Sequence, residues 1–212
     1  MKNYLLVLLA AGESKRFGAI KQLINYQGEP LIRNRVKEFA KLKTLSQNID
    51  IAVVIGAHHD VIQMALNPQK VNIIHNKNWW KGMGSSISAA AIYYQVQQTR
   101  KNYSGLIICL VDQVDVQSRH ISKLIKKFEK DRGQKISAST YSHTLGAPAI
   151  FTNSCIDDLI DIPFAQGAKK FIVEREYSLV HLPEGGRDID HPEDLKAYKA
   201  IAIENPSLMG FI

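Results

Sequence analysis

Three apolar runs constrain this 212-residue chain more than any other feature: Tyr4–Leu9, Ile51–Ile55 and Leu106–Val111. Each is continuous rather than alternating. A strand that is apolar on successive residues must be covered on both faces, which is the condition of a central strand in a parallel sheet. Shorter strand-like runs lie at Val71–Ile74, Ile136–Ala138, Ala149–Phe151 and Leu179–His181. Helical patterns separate many of them. In Pro30–Leu45, Leu31, Val36, Phe39, Ala40 and Leu42 fall on or near one face, and Pro30 suits a first helical position. Ser85–Gln98 opens on two serines suited to N-caps. Ser118–Lys130 carries Ile121, Leu124, Ile125 and Phe128 at helical spacing, and Lys169–Glu176 and Pro192–Ala202 complete the set. The alternation predicts an α/β fold: one Rossmann-like domain over residues 1–212, with a mostly parallel, mixed sheet and helices on both faces.

Composition narrows the class. No apolar stretch approaches the ~20 residues needed to span a bilayer. The polar Met1-Lys2-Asn3 runs straight into a strand, so the expectation is a cytoplasmic protein with no export signal and no membrane partner. Cys109 and Cys155 form no framework pattern, and Cys109 reads as a buried thiol. The formal net charge of +7 lies largely in helix-like segments such as 123–130 and 196–199, where it reads as solvated helix faces. No arginine-rich tract with interleaved aromatics occurs, so nucleic acid is not an expected partner.

In a sheet of this kind, ligands sit beyond the carboxyl ends of the strands. The first run is followed by Ala10-Ala11-Gly12, then Ser14, Arg16 and Lys21. Small residues let the backbone approach a ligand, and fixed cations beside free N–H groups suit a polyphosphate. The stretch is neither a G-x-x-x-x-G-K-[ST] loop nor a G-x-G-x-x-G turn. The second run leads into Gly56-Ala57-His58-His59, a histidine pair without a third ligand at useful spacing for zinc. The shorter run Val71–Ile74 leads to Asn76, the tandem Trp79-Trp80, and Gly82-Met83-Gly84-Ser85-Ser86. This last stretch reads as an anion site, a base-binding lip or a plain loop before a capped helix. The tryptophans read as core, an acceptor lip or an oligomer contact.

Asp112 directly follows the Leu106–Val111 run, where a carboxylate is rigidly aimed. Magnesium takes oxygen ligands, often one or two carboxylates together with substrate phosphates. A second carboxylate source is Arg187-Asp188-Ile189-Asp190-His191-Pro192. On an extended segment Asp188 and Asp190 share a face. Asp190 also suits a cap for a helix starting near Pro192, while Glu193 and Asp194 fit that helix's first turn.

Taken together, these residues resemble the nucleotidyltransferases of the molybdenum-cofactor type, within the glycosyltransferase-A-like nucleotidyltransferase group. The opening L-A-A-G-x-S-x-R-x-G-x-x-K matches Leu9–Lys21 without a gap. Lys21-Gln22-Leu23 and Gly82–Ser86 resemble the molybdopterin cytidylyltransferases in particular. Asp112-Gln113-Val114 stands for D-Q-P, Gly146–Phe151 for G-x-P-x-x-F, and Asp188–Leu195 for D-I-D-T-P-E-D-L, with His191 in place of threonine. The resemblance implies transfer of CMP from CTP, or another nucleotide, to a phosphorylated small-molecule acceptor such as molybdopterin. It implies Arg16, Lys21 and Asp112 as catalytic residues. Nucleotide contacts would come from Ala10, Ala11, Gly12, Ser14, Lys21, Gly82, Gly84, Ser85 and Ser86. Magnesium would be held by Asp112, Asp190 and Asp188. Two departures matter. Val114 replaces proline and alters the turn after Asp112. Phe164–Lys169 stands where relatives carry G-D-x-G-A-R, near the expected acceptor, so a sugar or polyol phosphate acceptor, or a non-catalytic nucleotide binder, stays open beside molybdopterin.

Overall fold

The computed structural model describes residues 2–45, 48–69, 71–141, 144–183 and 187–195. Seven strands form one sheet in the order β5-β4-β1-β6-β8-β7-β9. They are β1 (Asn3–Leu9), β4 (Asn48–Ile55), β5 (Asn72–His75), β6 (Tyr103–Leu110), β7 (Ile136–Tyr141), β8 (Thr144–Phe151) and β9 (Tyr177–His181). The short strands β2 (Asn25–Tyr26) and β3 (Glu29–Pro30) make a separate hairpin. Its two turn residues, Gln27 and Gly28, both have positive φ, as a twisted two-residue hairpin turn requires. In the large sheet only β8 runs against its neighbours. It is antiparallel to β6 and β7, and every other pairing is parallel.

Two apolar layers explain the continuous runs. Tyr4, Leu6 and Leu8 pack on one face with residues of α1 (Leu31–Ala40), α2 (His59–Leu66) and α4 (Ser118–Lys130). Leu5, Val7 and Leu9 pack on the other with α3 (Met83–Lys101), α5 (Ile156–Ile160) and α6 (Ala168–Val173). Leu5 through Leu8 have no accessible surface at all. Truncating one of these leucines to alanine loses contacts that nothing refills, a change of about 2–5 kcal/mol. Among the described residues no helix is long and apolar enough to cross a membrane. Cys109 and Cys155 are both buried and free.

Several boundaries differ from the sequence reading. The 30–45 helix starts after Pro30, which sits at its N-cap, and its last turn tightens into a 3-10 turn at Lys41–Leu45. The predicted N-cap serines lie inside α3, which begins at Met83 behind Gly82. Ser85 bonds back to the Gly82 carbonyl at 2.7 Å. Helices α2 and α5 are additional to those read from the sequence. Residues 192–195 are helical as expected, and the remainder of the Pro192–Ala202 helix lies outside the described residues.

The register sets the working rim. Leu9 pairs with Val54 of β4 and with Leu110 of β6, so three strands end level. Strand order reverses between β1 and β6, because β4 and β5 extend the sheet one way and β6 begins the other. A crevice opens outside the strand ends at such a point. Pairing continues a little past the strands: the Ala10 amide donates to the Val54 carbonyl (2.9 Å), Ala57 to Ala11 (3.0 Å) and Val111 to Leu9 (3.2 Å).

Candidate active site

The segment after β1 is held by its own side chains. The amide of Gln22, 2% exposed, donates to the carbonyls of Ala10 (2.9 Å) and Gly12 (2.8 Å). Ser14 adopts a left-handed conformation (φ 62°) and caps the 3-10 turn Lys15–Phe17. Its hydroxyl donates to Gln22 Oε1 at 3.3 Å. Gly18, also left-handed at φ 71°, closes that turn, and Phe17 pins it to the core. The loop therefore folds over and returns Lys21 to the rim. Among the described residues no atom lies within 4 Å of where a Cβ on Gly12 would stand, so this glycine faces open space.

Lys21 meets the acids there. Its ammonium donates to Asp112 Oδ2 at 2.9 Å and to Asp190 Oδ1 at 3.0 Å, and Arg16 pairs with Asp190 Oδ2 at 3.0 Å. Burial pulls the Lys21 pKa down, but Asp112 and Asp190 outweigh it and the net shift is upward. The 187–190 segment reaches the rim because Ile189 is fully buried and its amide donates to the Asp112 carbonyl at 3.1 Å. The capping role considered for Asp190 is not what the structure has. Asp194 Oδ2 accepts the amides of Asp190 (2.8 Å) and His191 (2.7 Å), which frees the Asp190 carboxylate for Lys21 and Arg16. Asp188 completes the acidic group. Its carboxyl is raised to about 6, first by burial, then by Asp112 and Asp190, with Lys21 and Gln113 opposing. Among the described residues nothing donates a hydrogen bond to the buried Asp112 Oδ1. A buried carboxylate oxygen left without a partner, beside two further carboxylates, has the donor chemistry of a hard divalent cation site.

A cleft of about 430 Å³ joins these groups. Ala10, Ala11, Gly12, Ser14, Arg16, Lys21, Gly82, Ser86, Asp112 and Asp190 all line it, together with Trp79, Trp80 and Met83. Gly84, Ser85 and Asp188 do not. A Cβ on Gly84 would stand 2.2 Å from the Pro163 carbonyl oxygen, and one on Gly82 2.6 Å from that of Phe164. Both glycines thus answer to the 163–166 segment packed against the start of α3. The Ser85 and Ser86 hydroxyls accept from the Asn76 amide at 2.8 and 3.0 Å. The tryptophans divide: Trp79 is packed so tightly on Gly56 that a Cβ there would lie 2.5 Å from its own, while Trp80 is 63% exposed at the cleft mouth. Gln22 and Asn76 are structural members of the site to which sequence reasoning gave no role. The only sequence signal for Gln22 was its place in Lys21-Gln22-Leu23. Among the described residues no group of three or more histidine, cysteine or acidic side chains stands ready to hold a metal ion, neither around His58 and His59 nor at Asp112, Asp188 and Asp190, where Lys21 sits between two of the carboxylates.

The strand rim, the loop after β1, the cations Arg16 and Lys21 and the carboxylates of Asp112 and Asp190 thus meet at one cleft. The MobA-like NTP transferase domain matches residues 6–179, and the chain belongs to that family. A curated relative, the nicotine blue oxidoreductase of Paenarthrobacter nicotinovorans, is 30% identical over 145 residues. That match takes in 68% of this chain and spans 64% of the relative's length. Among solved structures, the Rv0371c homolog from Mycobacterium sp. strain JC1 superposes with a TM-score of 0.75 at 18% identity, covering 95% of this chain and 97% of that one. Rv0371c of Mycobacterium tuberculosis in complex with manganese gives 0.66 at 14% identity, covering 93% and 97%. Both support the fold.

Proposed function

We propose that this protein is a nucleotidyltransferase that moves a nucleoside monophosphate from a nucleoside triphosphate to a phosphorylated small molecule. A phosphate oxygen of the acceptor attacks the α-phosphorus. The bond from that phosphorus to the β-phosphate oxygen breaks, and pyrophosphate leaves with the electron pair. Such a reaction asks a protein for alignment and charge stabilisation rather than covalent chemistry. The single observation that carries the reading is the convergence of Lys21 with Asp112 and Asp190, beside a buried carboxylate oxygen without a partner.

Each group has a role in that scheme. Ala10–Gly12 presents backbone to the nucleotide. Arg16 and Lys21 exchange carboxylate partners for phosphate oxygens and stabilise the charge that builds on them. Asp112 and Asp190, with Asp188 beside them, would hold Mg²⁺, which supplies charge neutralisation of the phosphates when bound. A relative of the same fold has been crystallised with manganese, which fits a divalent ion here. The Ala-Ala-Gly opening resembles the cytidine-using branch, so CTP is the proposed donor and a molybdopterin form the proposed acceptor. The reaction runs in the cytoplasm on this reading.

A second reading has one finding behind it, the name of the 30% identical oxidoreductase. One experiment separates the two. Pyrophosphate release is screened with four nucleoside triphosphates and Mg²⁺ against molybdopterin forms and sugar and polyol phosphates, and NADH and NADPH consumption is followed in parallel. Magnesium-dependent release, fastest with CTP, is expected. Cofactor consumption without release from any donor refutes nucleotidyl transfer, and faster release with GTP or ATP refutes the base preference.

A further inference from the structure

Among the described residues Arg35 is the most deeply buried charged side chain, 2% exposed, and nothing in the proposed reaction uses it. It projects from the middle of α1 toward the turn that follows Asp112. Its guanidinium donates to the Val114 carbonyl at 2.9 Å and to the Val116 carbonyl through its other terminal nitrogen. The Phe39 ring lies under it at 4.9 Å. Val114 and Val116 are 4% and 1% exposed, so their carbonyls are out of reach of bulk water. The turn is otherwise tied to the backbone that carries Asp112. The Val114 amide donates to the Asp112 carbonyl (3.0 Å), Val116 to Gln113 (3.1 Å), and Ile189 to the same Asp112 carbonyl (3.1 Å). A planar fork that grips two carbonyls two residues apart fixes both position and rotation of the backbone between them.

From this geometry we infer that Arg35 is a positioning residue for the divalent-cation site: it clamps the 114–116 turn and so sets the aim of Asp112 and of the Asp188–Asp190 segment bonded to Asp112. The inference rests on the proposed function. One turn further along α1, Glu38 supplies an internal comparison. Its carboxylate accepts the Ser118 amide (2.9 Å) and hydroxyl (3.0 Å), holding the start of α4, while its charge favours that of Arg35 without replacing the fork on the 114–116 carbonyls. Removing Glu38 loosens the same region without releasing the turn.

The test compares Arg35→Met, Arg35→Lys and Glu38→Gln with the unaltered protein. Mn²⁺ affinity is measured by electron paramagnetic resonance, amide exchange at residues 114, 116 and 189 by mass-resolved hydrogen exchange, and stability by urea melts. Groups that orient metal ligands from behind change metal affinity by about 10–100-fold when removed. Arg35→Met is expected to weaken Mn²⁺ binding within that range and to speed exchange at the three amides relative to β1. Arg35→Lys, with charge but no fork, is expected to fall between. Glu38→Gln, whatever its stability, is expected to keep the Mn²⁺ affinity. Equal Mn²⁺ affinities for Arg35→Met and Glu38→Gln overturn the inference. If the unaltered protein binds no Mn²⁺, the functional reading falls. The clamp is then judged by exchange alone, and unchanged protection at 114 and 116 in Arg35→Met overturns it as well.

Discussion

Replacing Lys21 by methionine separates two jobs that one ammonium performs. The ammonium sits 2.9 and 3.0 Å from two carboxylates while its own side chain is 11% exposed. Removing one partner of a buried ion group costs about 3–5 kcal/mol. The Asp112 and Asp190 side chains keep 23% and 31% exposure, so water recovers part of that and about 2 kcal/mol is expected. For a domain of this size that lowers Tm by about 4–8 °C. The sign with pH follows from the raised Lys21 pKa. The folded state holds this proton more tightly than the unfolded chain, so the contribution is fully present below the ordinary 10.5 and is lost as pH climbs through the raised value. Lys21 also holds the Asp188 carboxyl down, so the difference in stability should be flat only from about pH 8 to 9, above the carboxyl titration and below that of Lys21. Turnover should fall at least about 100-fold, the loss of a charge contact made in the transition state. Added Mn²⁺ should restore part of the lost Tm, because it too neutralises the carboxylates, yet leave turnover low. Melting curves with and without Mn²⁺, beside pyrophosphate release at saturating donor, check both. Turnover within tenfold of the unaltered protein would falsify the role given to Lys21.

Two glycines should answer differently to the same added methyl group. Gly12→Ala meets open space, so stability should hold while KM for the triphosphate rises; steady-state kinetics beside a melt reads both. Gly84→Ala drives a methyl onto the backbone oxygens of Pro163, Phe164 and Gln166, and should destabilise by about 1–3 kcal/mol in urea melts. Asp188 should show itself through pH. Between its ordinary 3.8 and about 6, the folded state keeps a proton that the unfolded chain has released, so this group makes stability fall as pH rises through that window. Asp188→Asn should remove that slope, as urea melts at pH 4.5 and 6.5 would reveal.

The centre of the fold was legible because continuous apolar runs leave a strand no option but burial on both faces, and the rim residues follow each run within a few positions. Lys21 and Asp112 lie 91 residues apart in sequence, and both follow apolar strands, which placed them at one rim; that β1 and β6 are neighbours came only from the pairing. Less could be read where tertiary contacts decide. The glycines at 82 and 84 look like ligand-facing loop residues, and the carbonyls that demand their lack of a side chain come from a segment some eighty residues away. Asp190 before Pro192 has the pattern of a cap, and only the competing bonds of Asp194 show why its carboxylate is free for Lys21. Val114 in place of proline announced an altered turn, but its tie to Arg35 depends on α1 packing that no local pattern encodes. The reversal of β8 rests on pairing partners and is equally invisible in the run of residues 144–151.

The packing of α3 against the 163–166 segment has a consequence for how such an enzyme changes over generations. The Gly84 amide donates to the Phe164 carbonyl at 2.9 Å, and the Met83 sulfur lies 3.8 Å from where a side chain on Gly167 would begin. On the proposed function, the wall facing the donor and the wall facing the acceptor are thus a single casting. A lineage adopting a new acceptor by drift in 164–169 must re-seat the nucleotide in the same step, so donor and acceptor preferences are expected to evolve in tandem.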